Sequence, residues 1–428
     1  MPNPKVCEVK KNSTKRETCR LCESKKLELV VPLAPTPLAE KYFPDSETAS
    51  NQHFYDMDLH MCLECGHVQL LEVVNPEVLW DDYTYHSGQT KGIIDHFEEC
   101  AKMIVDRHAP ENNSLVVDVG SNDGSFLQCF QERGLRVLGV DPAKEIARKA
   151  TESGIETLAD FLSPELAEKI SEQHGSASIV TAFNVFAHTD DMESMVRSIH
   201  GLLSPDGVFV FEVSYLQNII DDMLLGTFFH EHLSHHSVKP LIRFLERNGL
   251  ELIDLQKVSI QGGSLIGTAQ LLNGPHLASV SVEKLVISEN DRLLDHPETL
   301  RSFATKLTGL RKQVGELSSS WKDRGISVAG FGAARSGNTL IAQMGLATLI
   351  HFIVDDHPQK VNKRIGGYDI PVLPTKELVE RKPDYTFILA WIHAKKIIAG
   401  NRAYLEAGGK FIVCCPEMHV IDAENCLK

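Results

Sequence analysis

The sequence lacks any apolar run approaching the roughly 18 residues that a membrane-spanning helix needs. It also lacks an excess of basic residues, since 43 Lys and Arg stand against 58 Asp and Glu, for a net charge of −15. These absences argue against a helical membrane protein and against nucleic acid or an anionic membrane surface as a partner. Residues 1–18 are polar and Lys-rich without the apolar core of a signal peptide, so we expect a flexible tail and a cytoplasmic location.

The chain is too long for one hydrophobic core, and its cysteines are too sparse for a disulfide framework. With 428 residues, 43% of them apolar and 24% charged, the composition is typical of a globular protein of two or three domains. The ten cysteines include two Cys-x-x-Cys pairs, Cys19 with Cys22 and Cys62 with Cys65. Two such pairs complete the tetrahedral thiolate shell of a structural zinc ion and leave no open position for catalysis. We therefore predict a zinc-binding domain at residues 19–78; the alternative is a pair of reduced turns without metal.

A further absence is that of a pyrophosphate fingerprint. The stretch Leu115-Val-Val-Asp-Val-Gly-Ser-Asn-Asp-Gly-Ser125 predicts a strand, a Gly-containing turn and a helix, and the strand after it ends in Asp141. The turn lacks the Gly-x-Gly-x-x-Gly pattern of dinucleotide sites, and Asp118 and Asp123 would repel phosphates. An acid at the tip of the second strand is typical of a ribose-binding site. The pattern favours S-adenosylmethionine, an adenosyl ligand without phosphates, over an ordinary parallel-sheet unit without a ligand.

Polar residues follow the next strands of this unit as well. Asp160 and Phe161 suit the amino group and the ring of adenine, and Asn184 and His188 follow another apolar strand. Ligands of open parallel sheets lie at the carboxyl ends of the strands, so we expect these side chains to converge. The predicted cofactor-binding residues are Asp118, Gly120, Asn122, Asp123, Gly124, Asp141, Asp160, Phe161 and Asn184.

Histidines are concentrated in one short segment, Thr227-Phe-Phe-His-Glu-His232, which is followed by His235 and His236. Their spacing is not that of His-Glu-x-x-His, and no spaced third metal ligand is evident. A histidine near its unperturbed pKa of about 6.5 can accept a proton at neutral pH. General acid–base chemistry is the favoured interpretation, with a second metal site and a polar surface loop as alternatives.

The C-terminal part begins a second α/β unit after a charged helical stretch at about residues 278–322. Ile326-Ser-Val-Ala-Gly-Phe-Gly332 predicts a strand and a turn, and the helix that follows opens beside Arg335, where it could hold phosphate. The alternative is a structural lobe without a ligand. The predicted fold class is α/β, with a small N-terminal zinc-binding domain, a central Rossmann-like domain that binds S-adenosylmethionine at residues 79–272 and a C-terminal Rossmann-like, nucleotide-binding domain at residues 273–428.

In combination these segments resemble the sugar C-methyltransferase family, over nearly the whole chain from Cys19 onward. The resemblance is carried by the zinc knuckles, Val119-Gly-Ser-Asn-Asp-Gly124, Asn184-Val-Phe-Ala-His188, the His-Glu-His run, Gln261-Gly-Gly-Ser264 and Gly332-Ala-Ala-Arg-Ser-Gly-Asn-Thr-Leu340. It implies that residues 79–272 form a Rossmann-like class I methyltransferase domain and that residues 273–428 form a nucleotide-sugar-binding domain. The implied reaction is methylation at C3 of a nucleotide-linked 4-keto-deoxysugar, as in the biosynthesis of L-mycarose or tetronitrose. The resemblance also implies a nucleotide-diphosphate sugar as the partner, and a monomer is the favoured oligomeric state.

The resemblance further implies roles for individual residues. His232 would be the base that removes the C3 proton, oriented by Glu231, and His188 and Tyr85 would donate hydrogen bonds to the enolate oxygen. The family has a tyrosine where this chain has Phe229, so His230 or Tyr85 would supply the missing donor. The predicted substrate-binding residues are Phe229, Gln261, Gly262, Arg335 and Asn338. Gln261 replaces a histidine of the family and Ser336 stands where a lysine is frequent, which favours a variant substrate or stereochemistry.

Two competing interpretations of the sequence belong to other functional classes. One is an oxidoreductase or epimerase that binds a dinucleotide at residues 330–338, where only part of the Gly-rich pattern is present. The other is a non-catalytic module that binds zinc and a nucleotide, in which the histidine segment is a surface loop.

Overall fold

A computed structural model describes residues 12–80, 88, 92–321 and 324–426. The N-terminal part is built from short strands and two short helices: β1 (Ser13–Lys15), β2 (Leu27–Val31), β3 (Tyr42–Phe43), α1 (Ser46–Ser50), β4 (Leu59–Cys62), β5 (Val68–Leu70), β6 (Glu72–Val74) and α2 (Pro76–Trp80). Strand β1 pairs antiparallel with β6. The tail expected at residues 1–18 is therefore ordered from Ser13 onward, because its backbone groups are paired in a ladder.

The middle part is a seven-stranded sheet with helices on both faces. Its strands are β7 (Leu115–Val119), β8 (Arg136–Val140), β9 (Thr157–Leu158), β10 (Ala177–Phe183), β11 (Leu203–Ser214), β13 (Leu250–Val258) and β14 (Ser264–Leu271), and the two-residue β12 (Ser234–His235) lies outside this sheet. The helices are α3 (Ile93–His108), α4 (Ser125–Gln131), α5 (Lys144–Glu152), α6 (Pro164–His174), α7 (Met192–Leu202), α8 (Leu216–Asp221) and α9 (Val238–Arg247).

The strand order of this sheet is β13-β14-β11-β10-β7-β8-β9. Strands β7 to β11 run parallel, and β14 lies antiparallel between β11 and β13. Successive side chains of a strand point to opposite faces, so Val116 and Val117 enter two different apolar cores, one on each face. The predicted apolar strands that end in polar residues are confirmed, and their carboxyl ends lie along one edge.

The C-terminal part begins with the expected helical pair, α10 (Val280–Asp291) and α11 (Pro297–Ser319). The strands that follow are β15 (Val328–Phe331), β16 (Phe352–Val354), β17 (Arg364–Ile365), β18 (Ile370–Leu373), β19 (Tyr385–Ile388), β20 (Lys410–Val413) and β21 (His419–Ile421). The helices are α12 (Arg335–Met344), α13 (Glu377–Arg381), α14 (Ala394–Gly400) and α15 (Arg402–Glu406). The eight-stranded sheet has the order β21-β20-β19-β15-β16-β18-β17-β3.

The three parts exchange strands. Strand β3, from the N-terminal part, pairs with β17 at the edge of the C-terminal sheet. Strand β12, from the middle part, pairs with β5 and extends the N-terminal sheet. One apolar core includes Val30 and Met57 of the N-terminal part together with Phe303 of α11. None of the described helices is long and apolar enough to cross a lipid bilayer.

A buried arginine joins the N-terminal part to the middle part. Arg20, between Cys19 and Cys22, is 2% exposed. Its Nε donates to Asp190 Oδ1 at 2.9 Å, and its Nη1 donates to the backbone oxygen of Leu233 at 3.3 Å. Burial lowers the pKa of Arg20 to about 10, so the guanidinium stays charged at neutral pH. Because Leu233 directly follows the histidine segment, this contact ties the cysteine cluster to that segment.

Candidate active site

The four predicted metal ligands come together at one point of the N-terminal part. The sulfur atoms of Cys19, Cys22, Cys62 and Cys65 all lie within 4.8 Å of one another. Cys19 and Cys65 are 3.6 Å apart, and Cys22 and Cys62 are 3.5 Å apart. Zinc–thiolate bonds of about 2.3 Å place tetrahedral sulfurs about 3.8 Å apart, so the cluster fits a zinc ion. All four tetrahedral positions are taken by protein, which assigns the metal a structural role.

The second site is a cavity of about 1410 Å³ at the carboxyl ends of the central strands. It runs from the end of β8, past the ends of β7 and β10, to the start of α12 in the C-terminal part. Of the predicted cofactor-binding residues, those that line it are Gly120, Asn122, Asp141, Asp160, Phe161 and Asn184. The described lining therefore joins residues of two α/β units in one continuous space.

The turn after β7 brings backbone close to this cavity. Gly120 has φ +73°, and a Cβ there would lie 2.3 Å from a methyl group of Val185. Asp141 accepts hydrogen bonds from the backbone N–H groups of Asn122 and Ala143, both at 2.9 Å. Burial raises the pKa of Asp141, while these two N–H groups oppose the shift. A glycine turn held by an acid at the tip of β8 fits an adenosyl ligand, and the predicted contact of Asp141 with its ribose stays a prediction.

Three predicted cofactor-binding residues do not line the cavity. Asp118 is 4% exposed and accepts a hydrogen bond from Thr181 Oγ1 at 2.6 Å. Asp123 accepts from Ser125 Oγ at 2.6 Å and from the Gly88 backbone N–H at 2.8 Å. Gly124, at φ +79°, lies against Ile155. These residues shape the turn from beneath it or beside it, and their predicted contact with the cofactor stays a prediction.

His232 and His188 lie side by side in the wall of the cavity. Their ring centroids are 5.0 Å apart, and the ring of Phe229 lies 3.9 Å from that of His232. The Nδ1 of His232 is 2.7 Å from the backbone oxygen of Thr227. A carbonyl oxygen only accepts, so Nδ1 carries the proton and Nε2 keeps a lone pair. Burial lowers the pKa of His232 to about 4 and that of His188 well below its usual range, so both rings are neutral at pH 7.

The expectation that Glu231 orients His232 is wrong. Glu231 Oε2 accepts a hydrogen bond from Arg335 Nη1 at 2.9 Å, and the Thr227 carbonyl orients His232 instead. Burial raises the pKa of Glu231, and the charge of Arg335 opposes that rise. The guanidinium of Arg335 also lies 5.3 Å from the ring centroid of Phe229. Arg335 therefore connects the C-terminal part to Glu231 and Phe229, which lie beside His232.

Two further predicted residues lie away from the cavity lining. The ring of His230 packs against Tyr55, with centroids 5.4 Å apart, and its Nε2 is 3.5 Å from the Tyr55 backbone oxygen. Asn338 donates to the backbone oxygen of Leu38 at 3.1 Å and so fastens the N-terminal part to α12. Neither is placed to contact a substrate, because their side chains face the N-terminal part. Tyr85 lies outside the described residues.

The remaining predicted substrate residues do line the cavity. Gln261 and Gly262 reach it from the turn between β13 and β14, and Gln261 has a left-handed backbone with φ +52°. The cavity also receives two side chains that the sequence did not single out, His96 of α3 and Lys257 of β13. His96 contacts Glu212, a fully buried acid within an apolar strand. The sequence did offer one signal for this contact, the single acid Glu212 within an apolar strand. An ionised group that is buried needs a polar partner, which here is His96.

Three family models match the chain in order along the sequence. They are "Putative zinc binding domain" at residues 19–80, "Methyltransferase domain" at residues 94–255 and "C-methyltransferase C-terminal domain" at residues 259–416. C-methyltransferase NovU of Streptomyces niveus is 34% identical over 412 residues, which cover 96% of this chain and 98% of that protein. The chain belongs to the C-methyltransferase family. The enzyme is an S-adenosylmethionine-dependent C-methyltransferase, as the sequence predicted, rather than an oxidoreductase or a non-catalytic module.

Other relatives and solved structures cover a smaller share of the enzyme. Ubiquinone biosynthesis O-methyltransferase of Chromobacterium violaceum is 32% identical over 111 residues, 25% of this chain and 47% of that protein. The crystal structure of magnesium protoporphyrin IX methyltransferase from Synechocystis PCC 6803 with bound SAH covers 44% of this chain and 89% of that chain, with 15% identity and a TM-score of 0.33.

Proposed function

We propose that the enzyme methylates C3 of a nucleotide-linked 4-keto-deoxysugar, with His232 as the base. The observation that carries this proposal is the tautomer of His232. Its Nδ1–H is donated to the Thr227 backbone oxygen at 2.7 Å, and the ring lines the cavity. The Nε2 lone pair is therefore available to accept a proton from a carbon atom held next to it.

The proposed reaction has two steps, removal of a proton from C3 and transfer of the methyl group to C3. His232 Nε2 takes the proton from C3, and the electron pair of the C–H bond forms an enolate whose charge rests on the C4 oxygen. C3 then forms a bond to the methyl carbon of S-adenosylmethionine as the methyl–sulfur bond breaks, which leaves S-adenosylhomocysteine and the C4 ketone. Holding the two reactants in contact is the main contribution of the site.

The acceptor would enter from the C-terminal side of the cavity. The lining there includes Ala334, Arg335 and Ser336 at the start of α12, and also His393. Free N–H groups at a helix start and a guanidinium are suited to a diphosphate. Glu231 is held by Arg335 in this arrangement, so the anionic acceptor and Glu231 would share one cation. The sugar would then reach towards His232, and the donor would lie beyond it at Asp141.

Proton removal can be measured without methyl transfer. The enzyme is incubated in D₂O with S-adenosylhomocysteine and a panel of nucleoside-diphosphate 4-keto-deoxysugars, and deuterium at C3 is followed by NMR. Wild type should exchange C3, and His232→Gln should lose about 10²–10⁴ of the exchange rate while it still binds S-adenosylhomocysteine.

The matched control for this experiment is His230→Gln, the neighbouring histidine whose ring faces Tyr55. It should exchange C3 like wild type, since its side chain does not reach the cavity lining. Exchange that persists in His232→Gln, or that is lost only in His230→Gln, contradicts the assignment of the base. Absence of exchange for every sugar in wild type contradicts the proposed acceptor.

A further inference from the structure

A chain of three polar residues with a buried carboxylate at its centre lies in the cavity wall, at the end opposite the proposed adenine site. His96 Nε2 of α3 is 2.5 Å from Glu212 Oε2 of β11. The other oxygen, Glu212 Oε1, accepts a hydrogen bond from Asn184 Nδ2 at 3.3 Å. Asn184 follows β10 with φ +56°, and its backbone N–H donates to the Glu212 backbone oxygen at 2.9 Å. We call His96, Glu212 and Asn184 the His96 chain.

The order of the strands places this chain beside the cationic end of the donor. The proposed donor site puts the ribose at Asp141, after β8, and the adenine at Asp160 and Phe161, after β9. In the sheet, β10 and β11 lie on the opposite side of β7 from β8 and β9. The sulfonium and the amino-acid part therefore lie over the ends of β7 and β10. Asn184 and His96 both line the cavity there.

Glu212 decides which way the Asn184 amide points. Glu212 is fully buried, and a carboxylate accepts hydrogen bonds but donates none. The amide must therefore turn its NH₂ group towards Glu212, which directs its carbonyl oxygen elsewhere. Burial lowers the pKa of His96, but the hydrogen bond and charge of Glu212 outweigh this effect and raise it overall. His96 therefore keeps its proton to a higher pH than a free imidazole does.

We propose that His96 and Glu212 are positioning residues, which act through Asn184 by holding its amide oxygen towards the ammonium and sulfonium charges of S-adenosylmethionine. The chain has no proton to transfer in this role and touches the donor only at Asn184. An amide turned the other way would present N–H groups to a cation, which is repulsive. This inference rests on the donor site of the proposed function, at Asp141 and Asp160, and extends it to the opposite end of the ligand.

The proposal is tested by exchanging the donor and acceptor groups along the chain. In Asn184→Asp two carboxylates face each other, and in Glu212→Gln the orientation of Asn184 is no longer fixed. In the double variant, the introduced glutamine can donate to the introduced aspartate and accept from His96, so the polarity of the chain is restored. Affinity for S-adenosylhomocysteine is measured by calorimetry, and KM for the donor is compared with kcat. Each single variant should bind about ten-fold or more weakly, and the double variant should return to within about three-fold of wild type.

Two further variants keep the test decisive. Asn184→Gly tolerates the left-handed backbone, leaves no new charge and should also weaken binding about ten-fold. Glu98→Gln removes one charge from the exposed side of α3 and should bind like wild type. Losses that multiply in the double variant, or wild-type binding by Asn184→Gly, overturn the proposal. Asp141→Asn tests the donor site itself. If this variant and the variants of the His96 chain all bind normally, the proposed donor site is wrong. If Asp141→Asn binds weakly while the variants of the His96 chain bind normally, only the role of the His96 chain is refuted.

Discussion

The buried acid Asp118, beneath the glycine turn, should make the free energy of unfolding depend on pH. It is 4% exposed, and its carboxylate accepts a hydrogen bond from the Thr181 hydroxyl. Burial raises the pKa of Asp118 from 3.8 to about 7, although the hydrogen bond from Thr181 opposes the shift. In the unfolded chain the carboxyl ionises at its ordinary pKa, so the folded state holds the proton over a wider pH range.

The sign of the effect follows from this difference. Between pH 3.8 and about 7 the folded state binds more protons at Asp118 than the unfolded state does, so stability falls as pH rises through that window. Three pKa units at about 1.4 kcal/mol each give a total cost of about 4 kcal/mol above pH 7. Asp118→Asn removes the ionisation. Its free energy of unfolding relative to wild type should therefore rise by about 3 kcal/mol between pH 5 and pH 8.

The assay is urea denaturation of both proteins at half-unit steps from pH 5 to pH 8. Loss of zinc at acid pH affects both proteins and cancels in the difference. Asp106→Asn is the matched control, since Asp106 is exposed on α3 and pairs with Lys102 in water. Its difference from wild type should stay flat. A flat or falling difference for Asp118→Asn would refute the argument that burial keeps this carboxyl protonated.

Three further outcomes are expected. Chelation should release one zinc ion per chain and lower the unfolding midpoint, because zinc binding contributes on the order of 10 kcal/mol to folding. Metal analysis and thermal denaturation should show the same loss for Cys62→Ser and no loss for Cys426→Ser, which lies outside the cluster. Gly120→Ala should weaken S-adenosylhomocysteine binding measured by calorimetry, since its Cβ would meet Val185 at 2.3 Å; Gly154→Ala has similar left-handed strain with no atom within 4 Å and should bind normally. Initial rates should show kcat/KM constant from pH 8 to about 5 and falling through about pH 4, where His232 takes up a proton; a fall near pH 6.5 would indicate an unperturbed imidazole.

Much of the fold follows from local sequence patterns. Apolar runs that end in Asp141 or Asn184 predict buried parallel strands, and the structure contains them at Arg136–Val140 and Ala177–Phe183. The exchanged strands could not be predicted in this way. Tyr42–Phe43 and Ser234–His235 have two residues each, too few for any periodicity, and they are strands only because a partner edge lies beside them.

The site was predictable in outline but not in the direction of its side chains. His230 and His232 are equivalent by composition, and only the backbone path after the turn at Leu225–Thr227 sends one to Tyr55 and the other into the cavity. Glu231 could not be assigned to Arg335 from the sequence, since 104 residues separate them. Asp118 is hidden because its side chain meets Thr181 on the neighbouring strand beneath the turn.

The strand exchange also limits how such enzymes can be recombined. A chimera joined between the matched segments 94–255 and 259–416 would bring a new C-terminal lobe against the old Tyr42–Phe43 edge. It would also disturb the contact between Ala34 and Gln343. The Ala34 N–H donates to Gln343 Oε1, and Gln343 Nε2 donates to the Ala34 backbone oxygen, each at 2.9 Å. A transplant of acceptor preference therefore has to carry residues 34–55 with it, although they are remote in sequence from the proposed acceptor-binding residues Gln261 and Arg335.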